Sequence, residues 1–246
     1  MSLPSAPPRK VALVTGAGRG LGRVLAGFLA EQGYGLIVTA RGEPELAAAV
    51  RDFTTKGPTA VSIRGDVSDA SHRQRLVDSA ARWNRLDLLV NNASDLGDTP
   101  IPPLADASRE NLLHVFDVNA VAPVALVQLA LPLLAASKGL VVNITSDAAI
   151  GGYPNWGVYG ASKAALDLIT KTLAAELKDR NVGVVGVDPG DMRTKMHQDA
   201  YPGQDISDRP LPEVTLPFWA WLLSQDPMKV TGMRFQAQAP VWEVPA

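Results

Sequence analysis

Tyr159 and Lys163, in the string YGASK, stand four residues apart at the predicted start of a helix, so their side chains share a face. An ammonium beside a phenol favours the phenolate, and such a pair can give and take a proton near neutral pH. An ordinary Tyr–Lys pair on a helix surface has the same spacing. Ser146 closes a predicted strand and faces the same crevice, where a capping hydroxyl is the plain alternative. A second group of residues could hold phosphate. The stretch Lys10–Gly22, KVALVTGAGRGLG, runs from an apolar β-branched segment through a glycine-dense turn into a segment with helical spacing (Leu21, Leu25, Phe28, Leu29). Glycines let a backbone approach a pyrophosphate, and a following helix offers free N–H groups and a positive dipole end. Arg19 lies inside this turn, and Arg41 follows the next predicted strand. A site for NAD carries an acid roughly 20 residues past the glycines to bind the ribose 2′-OH. Here that strand ends Val38-Thr39-Ala40-Arg41 with no acid before Glu43. Two guanidinium groups suit a 2′-phosphate instead, which favours NADP(H) over NAD(H).

These residues need a scaffold, and apolar patterning supplies one. Short apolar runs near Val11–Val14, Gly35–Ala40, Thr59–Arg64, Leu86–Val90, Leu140–Thr145, Val182–Asp188 and Gly232–Ala237 read as strands. Helical patterns alternate with them, including Glu43 to about Thr55, Asp69 to about Trp83 with Ser68 or Asp69 as its cap, and Val158 to about Lys178. The long pattern from about Ala107 to Leu134 contains Pro123 and Pro132, which predict a bend or break. Thr194–Pro212 is polar and irregular, and a short helix follows around Val214–Leu223. Strands alternating with helices, the middle strands being apolar runs, predict a doubly wound α/β fold. Its parallel sheet of about seven strands is covered on both faces, with ligands at the carboxyl ends. No composition shift marks a linker, so residues 1–246 read as one domain.

Composition narrows the function. At 246 residues, with net charge −2 and pI near 5.9, the chain shows no basic field for nucleic acid or an anionic membrane. With no cysteine, thiol chemistry and cysteine-held metals are excluded, and His72, His114 and His197 are too scattered for a metal site. The lead MSLPSAPP over residues 1–8 reads as disordered, with no signal-peptide core, and no apolar run approaches the roughly 20 residues of a membrane helix. A cytoplasmic protein is expected. His72 and His197 are expected at the surface, and Trp219 and Trp221 in packing. Tyr153 and Trp156 flank the Ser146–Tyr159 segment and are expected to wall a substrate pocket.

The ordered strings TGxxxGxG (Thr15, Gly16, Gly20, Gly22), Asn91-Asn92-Ala93, Ser146, YxxxK and Pro189-Gly190 with Thr194 resemble the short-chain dehydrogenase/reductase family. Ser94 stands where the family has the glycine of NNAG, and the ending FQAQAP over Phe235–Pro240 departs from the usual acidic-Gly-Gly. The resemblance implies a carbonyl–alcohol oxidoreductase with Tyr159 as general acid/base, Lys163 as its partner, Ser146 on the substrate oxygen, and Asn119 holding a water that links Lys163 to solvent. It implies cofactor contacts at Gly16, Arg19, Gly20, Leu21, Gly22, Arg41, Asp66, Val67, Asn92, Ala93, Tyr159, Lys163, Pro189, Gly190 and Thr194. Segment 195–212 would be a substrate loop. Rival readings are an epimerase or dehydratase on the same scaffold, for which the chain is short, and a non-enzymatic nucleotide-binding regulator, which would be expected to lose Tyr or Lys. In the family the two long helices pair across a two-fold axis. Their apolar residues on more than one side (Val121, Val124, Leu126, Val127; Ala164, Ala165, Leu168) agree with a homodimer or dimer of dimers.

Overall fold

The computed structural model describes residues 8–244. The lead expected to be disordered over residues 1–8 lies outside the described residues except for Pro8, which is buried beside Gly35. Seven strands, β1 (Lys10–Thr15), β2 (Tyr34–Thr39), β3 (Thr59–Ser62), β4 (Leu88–Asn91), β5 (Leu140–Ile144), β6 (Gly183–Asp188) and β7 (Arg234–Gln236), form one sheet. Their order is β3-β2-β1-β4-β5-β6-β7, and every neighbouring pair is parallel.

The sheet feeds two cores because successive side chains of a strand point to opposite faces. Ala12, Val14, Leu88, Val90, Val142 and Val187 face the layer that holds α1 (Gly20–Glu31) and α2 (Glu43–Lys56). Val11, Leu13, Leu89, Val141 and Val184 face Leu76 of α3 (Ala70–Ala81) and Leu126, Val127 and Leu134 of a long helix on the other side. Each of the larger side chains so buried stabilises the fold by about 1.5–3 kcal/mol. Asp69, rather than Ser68, caps α3, its carboxylate accepting from Ser71 N at 2.8 Å.

The long helix neither breaks nor stops at its prolines. It runs Arg109–Ser137 as α4 (Arg109–Phe116), one π turn (Asp117–Val121) and α5 (Ala122–Ser137), with Pro123 in the first turn of α5 and Pro132 inside it. Here the sequence expectation needs correction. An 18-residue window of this helix has mean hydropathy 1.9, so by length and composition it is apolar enough to span a membrane. Only 39% of that window is buried.

Segment 195–212 is less irregular than expected. Thr194 Oγ1 accepts from His197 N at 3.2 Å and starts α7 (Lys195–Ala200). The expected helix near Val214 is a 3-10 turn (Pro212–Thr215) leading into α8 (Leu216–Ser224), whose Trp219 and partly buried Trp221 pack in the core as expected. A short helix α9 (Pro227–Val230) precedes β7. Both histidine expectations fail. His72 is fully buried, its Nε2 2.7 Å from Thr39 Oγ1, because it shares a face of α3 with Leu76 and Ala80. Burial first, then the Arg75 charge, holds its pKa below the usual histidine value. The His197 side chain is only 12% exposed and its ring lies 5.0 Å from that of Tyr201.

Candidate active site

The sheet order reverses between β1 and β4, and a cavity of about 880 Å³ opens along the carboxyl ends there, where a doubly wound fold places its ligands. Thr15 knits the two strands together at that point. Its Oγ1 donates to Val90 O (3.2 Å) and accepts from Asn92 N (3.0 Å) and Ala93 N (2.9 Å). Asn92 Nδ2 returns a bond to Thr15 O at 2.8 Å. Gly16 turns away at φ +70°, and a Cβ there would stand 2.7 Å from Asn92 Nδ2, so only glycine closes this corner. The helix α1 that follows has Arg19 at its N-cap with no side-chain cap bond, and Gly20, Leu21 and Gly22 line the cavity. Its first N–H groups have no side-chain cap, which leaves them for an anion. Thr145 Oγ1 is buried, and among the described residues it has no partner, although Thr145 lines the same cavity. A glycine cradle, an uncapped helix start and an orphaned hydroxyl fit a dinucleotide.

At the other flank of this corner Arg19, Arg41, Asp66 and Val67 line the cavity, as the sequence led one to expect. Arg41 Nη1 is ion-paired to Asp95 (2.9 Å) and lies 3.9 Å from Asp66. Burial opposes ionisation of Asp66. Hydrogen bonds from Ser68 N–H and O–H and the Arg41 charge outweigh it and hold the carboxyl below its usual range. Glu45 also lines this end, from the first turn of α2, past the strand end where an acid for the ribose is expected.

Ser146, Tyr159 and Lys163 converge at the far end of the cavity. Tyr159 and Lys163 lie on α6 (Gly157–Glu176), with Lys163 Nζ 5.6 Å from the phenol ring centroid and donating to Ile144 O at 2.7 Å. The helix is pinned to the sheet by a buried chain. Asn91 Nδ2 donates to Asn143 Oδ1, and Asn143 Nδ2 donates to Thr170 Oγ1, both at 2.8 Å. Trp156 meets the Tyr159 ring edge-on at 5.6 Å, and Tyr153 and Trp156 both line the cavity as expected.

The expected lowering of the phenol pKa is not what the chain alone provides. Burial, with Asp188 and Asp147 adding to it, pushes Tyr159 up to about 12, while the hydroxyls of Ser94 and Ser146 pull the other way. Burial also brings Lys163 down to about 8, with Asp167 opposing, so the ammonium is still largely charged at neutral pH. Desolvation is the largest cause of both shifts.

Asn119 does not line the cavity, and its side-chain amide is fully committed. Oδ1 accepts from Asp95 N (2.8 Å) and Ser94 Oγ (3.1 Å), while Nδ2 donates to Asp95 O and Ser162 Oγ, both at 2.9 Å. Its side chain braces the loop after β4 against α6. Only its backbone carbonyl is left for a water, and the residue that would donate to it in a regular helix is Pro123, which has no N–H.

Pro189, Gly190 and Thr194 line the cavity as expected. Their supports escaped notice in the sequence. Gln238 Nε2 donates to Pro189 O (2.9 Å) and Asp191 O (3.0 Å), within the atypical FQAQAP ending. Arg234 donates to Ser146 O (2.9 Å), Asp188 Oδ2 (3.2 Å) and Asp167 Oδ2 (3.0 Å), tying β5, β6 and α6 beside Ser146. Its side chain is 19% exposed and those of the two acids 15% and 5%, so Arg234→Met leaves two part-buried carboxylates unpaired. Urea titration should show a loss of about 3 kcal/mol in unfolding free energy; a loss under about 1 kcal/mol would mean that Arg234 is not the tie.

Comparison with known proteins agrees with this geometry. A family model described as short chain dehydrogenase matches residues 10–205. The oxidoreductase YciK of Escherichia coli (strain K12), itself named as uncharacterized, is 33% identical over 234 residues, covering 93% of this chain and 92% of that protein. A short chain dehydrogenase structure from Pseudomonas syringae is 31% identical with a TM-score of 0.87, covering 97% of this chain and 98% of its own. A Shigella flexneri short chain dehydrogenase solved in complex with NADP is 31% identical with a TM-score of 0.86, covering 94% and 98%. The chain belongs to the short-chain dehydrogenase family, and its parallel seven-stranded sheet is the Rossmann-like fold of that family.

Proposed function

We infer that this protein is an oxidoreductase that interconverts a small carbonyl compound and a secondary alcohol with NADP(H), using Tyr159 as general acid/base. The observation that carries this is the convergence of Ser146, Tyr159 and Lys163 on one end of a cavity whose middle is the glycine cradle. NADP(H) rather than NAD(H) is supported by Arg19 and Arg41 at the adenosine end, and by the Shigella flexneri relative solved with NADP.

Bound there, the nicotinamide supplies a hydride to the carbonyl carbon or takes it back. Ser146 Oγ now donates to Asp147 Oδ1 at 2.9 Å, and rotation of this hydroxyl turns it to the substrate oxygen. Reduction leaves an alkoxide that needs a proton at that moment, and Tyr159, with a pKa of about 12, is already in the protonated form that can give one. Lys163, anchored on Ile144 O, sets a positive charge beside the resulting phenolate. In the oxidising direction Tyr159 must act as base, and bringing its pKa from about 12 to neutrality requires about 7 kcal/mol of added phenolate stabilisation. Leu96, Trp156, Met196 and Tyr201 line the cavity near Tyr159, which suits an uncharged substrate with an apolar flank. Loss of reduced-nicotinamide absorbance with members of a panel of ketones and aldehydes is the expected result. Tight NADPH binding with no oxidation by any member would favour the nucleotide-binding regulator instead.

Assembly follows from the uncovered apolar face of the long helices. Leu113, Val121 and Leu168 are each more than half exposed on α4, the π turn and α6. Pairing with a second copy of the chain would bury them. Light scattering at micromolar concentration should give a dimeric or tetrameric mass; a monomeric mass would remove this proposal.

A further inference from the structure

Arg41 is not free. Its Nη1 sits 2.9 Å from Asp95 Oδ2, with Asp66 Oδ2 at 3.9 Å. The two partners differ in freedom. Arg41 is a long side chain, 57% exposed, whereas the Asp95 side chain is 16% exposed and held at several points. Asp95 Oδ1 accepts from Gly97 N at 3.0 Å, and His114 Nε2 lies 3.4 Å from Oδ2. The Asp95 backbone is clamped at both ends of its peptide by the Asn119 amide. The carboxylate is therefore the fixed member of the pair and the guanidinium the movable one.

We propose that Asp95 is a determinant of cofactor affinity: it holds Arg41 when no nucleotide is bound, and a 2′-phosphate must take the guanidinium from it. This rests on the assignment of NADP(H) as cofactor. A phosphate monoester carries more charge than a carboxylate and accepts a guanidinium fork, so it wins the exchange. Its gain is reduced by the pair that is broken and by the negative charge of Asp95 left close by. A ligand without the 2′-phosphate brings no second anion to compete for Arg41, so the effect is confined to ligands that carry it.

Calorimetric titration of wild type and Asp95→Asn with 2′,5′-ADP, 5′-AMP, NADPH and NADH tests the proposal without turnover. Asp95→Asn keeps an acceptor for Gly97 N and should bind 2′,5′-ADP and NADPH about three- to fivefold tighter. Its affinity for 5′-AMP and NADH should change by less than about twofold. Arg41→Ala, alone and combined with Asp95→Asn, should abolish that gain, since no guanidinium remains to be released. If Asp95→Asn melts early, Asp95→Ser is measured in its place. Unchanged or weakened binding of 2′,5′-ADP in the variant would overturn the proposal, because Asp95 would then be orienting Arg41 rather than competing for it. A wild type that binds 2′,5′-ADP no better than 5′-AMP would instead overturn the NADP(H) assignment, and the proposal with it.

Discussion

Tyr159→Phe is expected to lower turnover about a thousandfold or more while leaving NADPH binding within about twofold of wild type. The phenol is 7% exposed and its ring packs against Leu96, Ala148 and Trp156, contacts that phenylalanine keeps. What the variant loses is the proton the alkoxide needs. Ser146 is an alcohol, and Lys163 Nζ is directed to Ile144 O. Steady-state rates with NADPH and an accepted carbonyl, set beside a fluorescence titration of NADPH, separate the two effects. A Tyr159→Phe protein that keeps most of its rate would remove Tyr159 from the chemistry.

Arg41→Asp should reverse the nucleotide preference, mostly by losing NADPH. Withdrawing the two charge-assisted bonds that a guanidinium offers a 2′-phosphate lowers kcat/KM for NADPH about a hundredfold. The gain for NADH should be smaller. The new carboxylate would stand near Asp66 and Asp95, and clustered like charges oppose its ionisation. Comparing kcat/KM for the two cofactors in wild type and variant measures both parts. Equal use of NADH and NADPH by the wild type would show that Arg41 does not read the phosphate.

Much of the fold was legible because its signals are local. Short, mostly apolar runs marked all seven strands to within two residues at either end, and strand–helix alternation marked the parallel, doubly wound sheet. The glycine turn was legible because Gly16 and Gly20 need positive φ, a demand that depends on their immediate neighbours. Features set by tertiary contact were not. His72 looked like a surface residue until its place beside Leu76 and Ala80 was counted, a periodicity the sequence does contain. The direction of the Tyr159 shift depends on how deeply α6 is buried and on Asp188, which arrives from another strand. Arg234 and Gln238 support Ser146 and Pro189 from an ending that matches no family string, so nothing local marked them. The prolines of the long helix misled because a π turn ahead of Pro123 lets the chain absorb the missing donor without stopping.

The most direct test follows the hydride itself. NADPH carrying deuterium at both positions of the reactive nicotinamide carbon is incubated with a carbonyl compound that the wild type consumes, and the alcohol is analysed by mass spectrometry and NMR. One deuterium on the carbinol carbon of each product molecule is expected from the wild type, with the labelled alcohol nearly absent from Tyr159→Phe at equal cofactor saturation. An alcohol without deuterium at that carbon, or equal labelled product from the variant, would contradict hydride transfer completed by Tyr159.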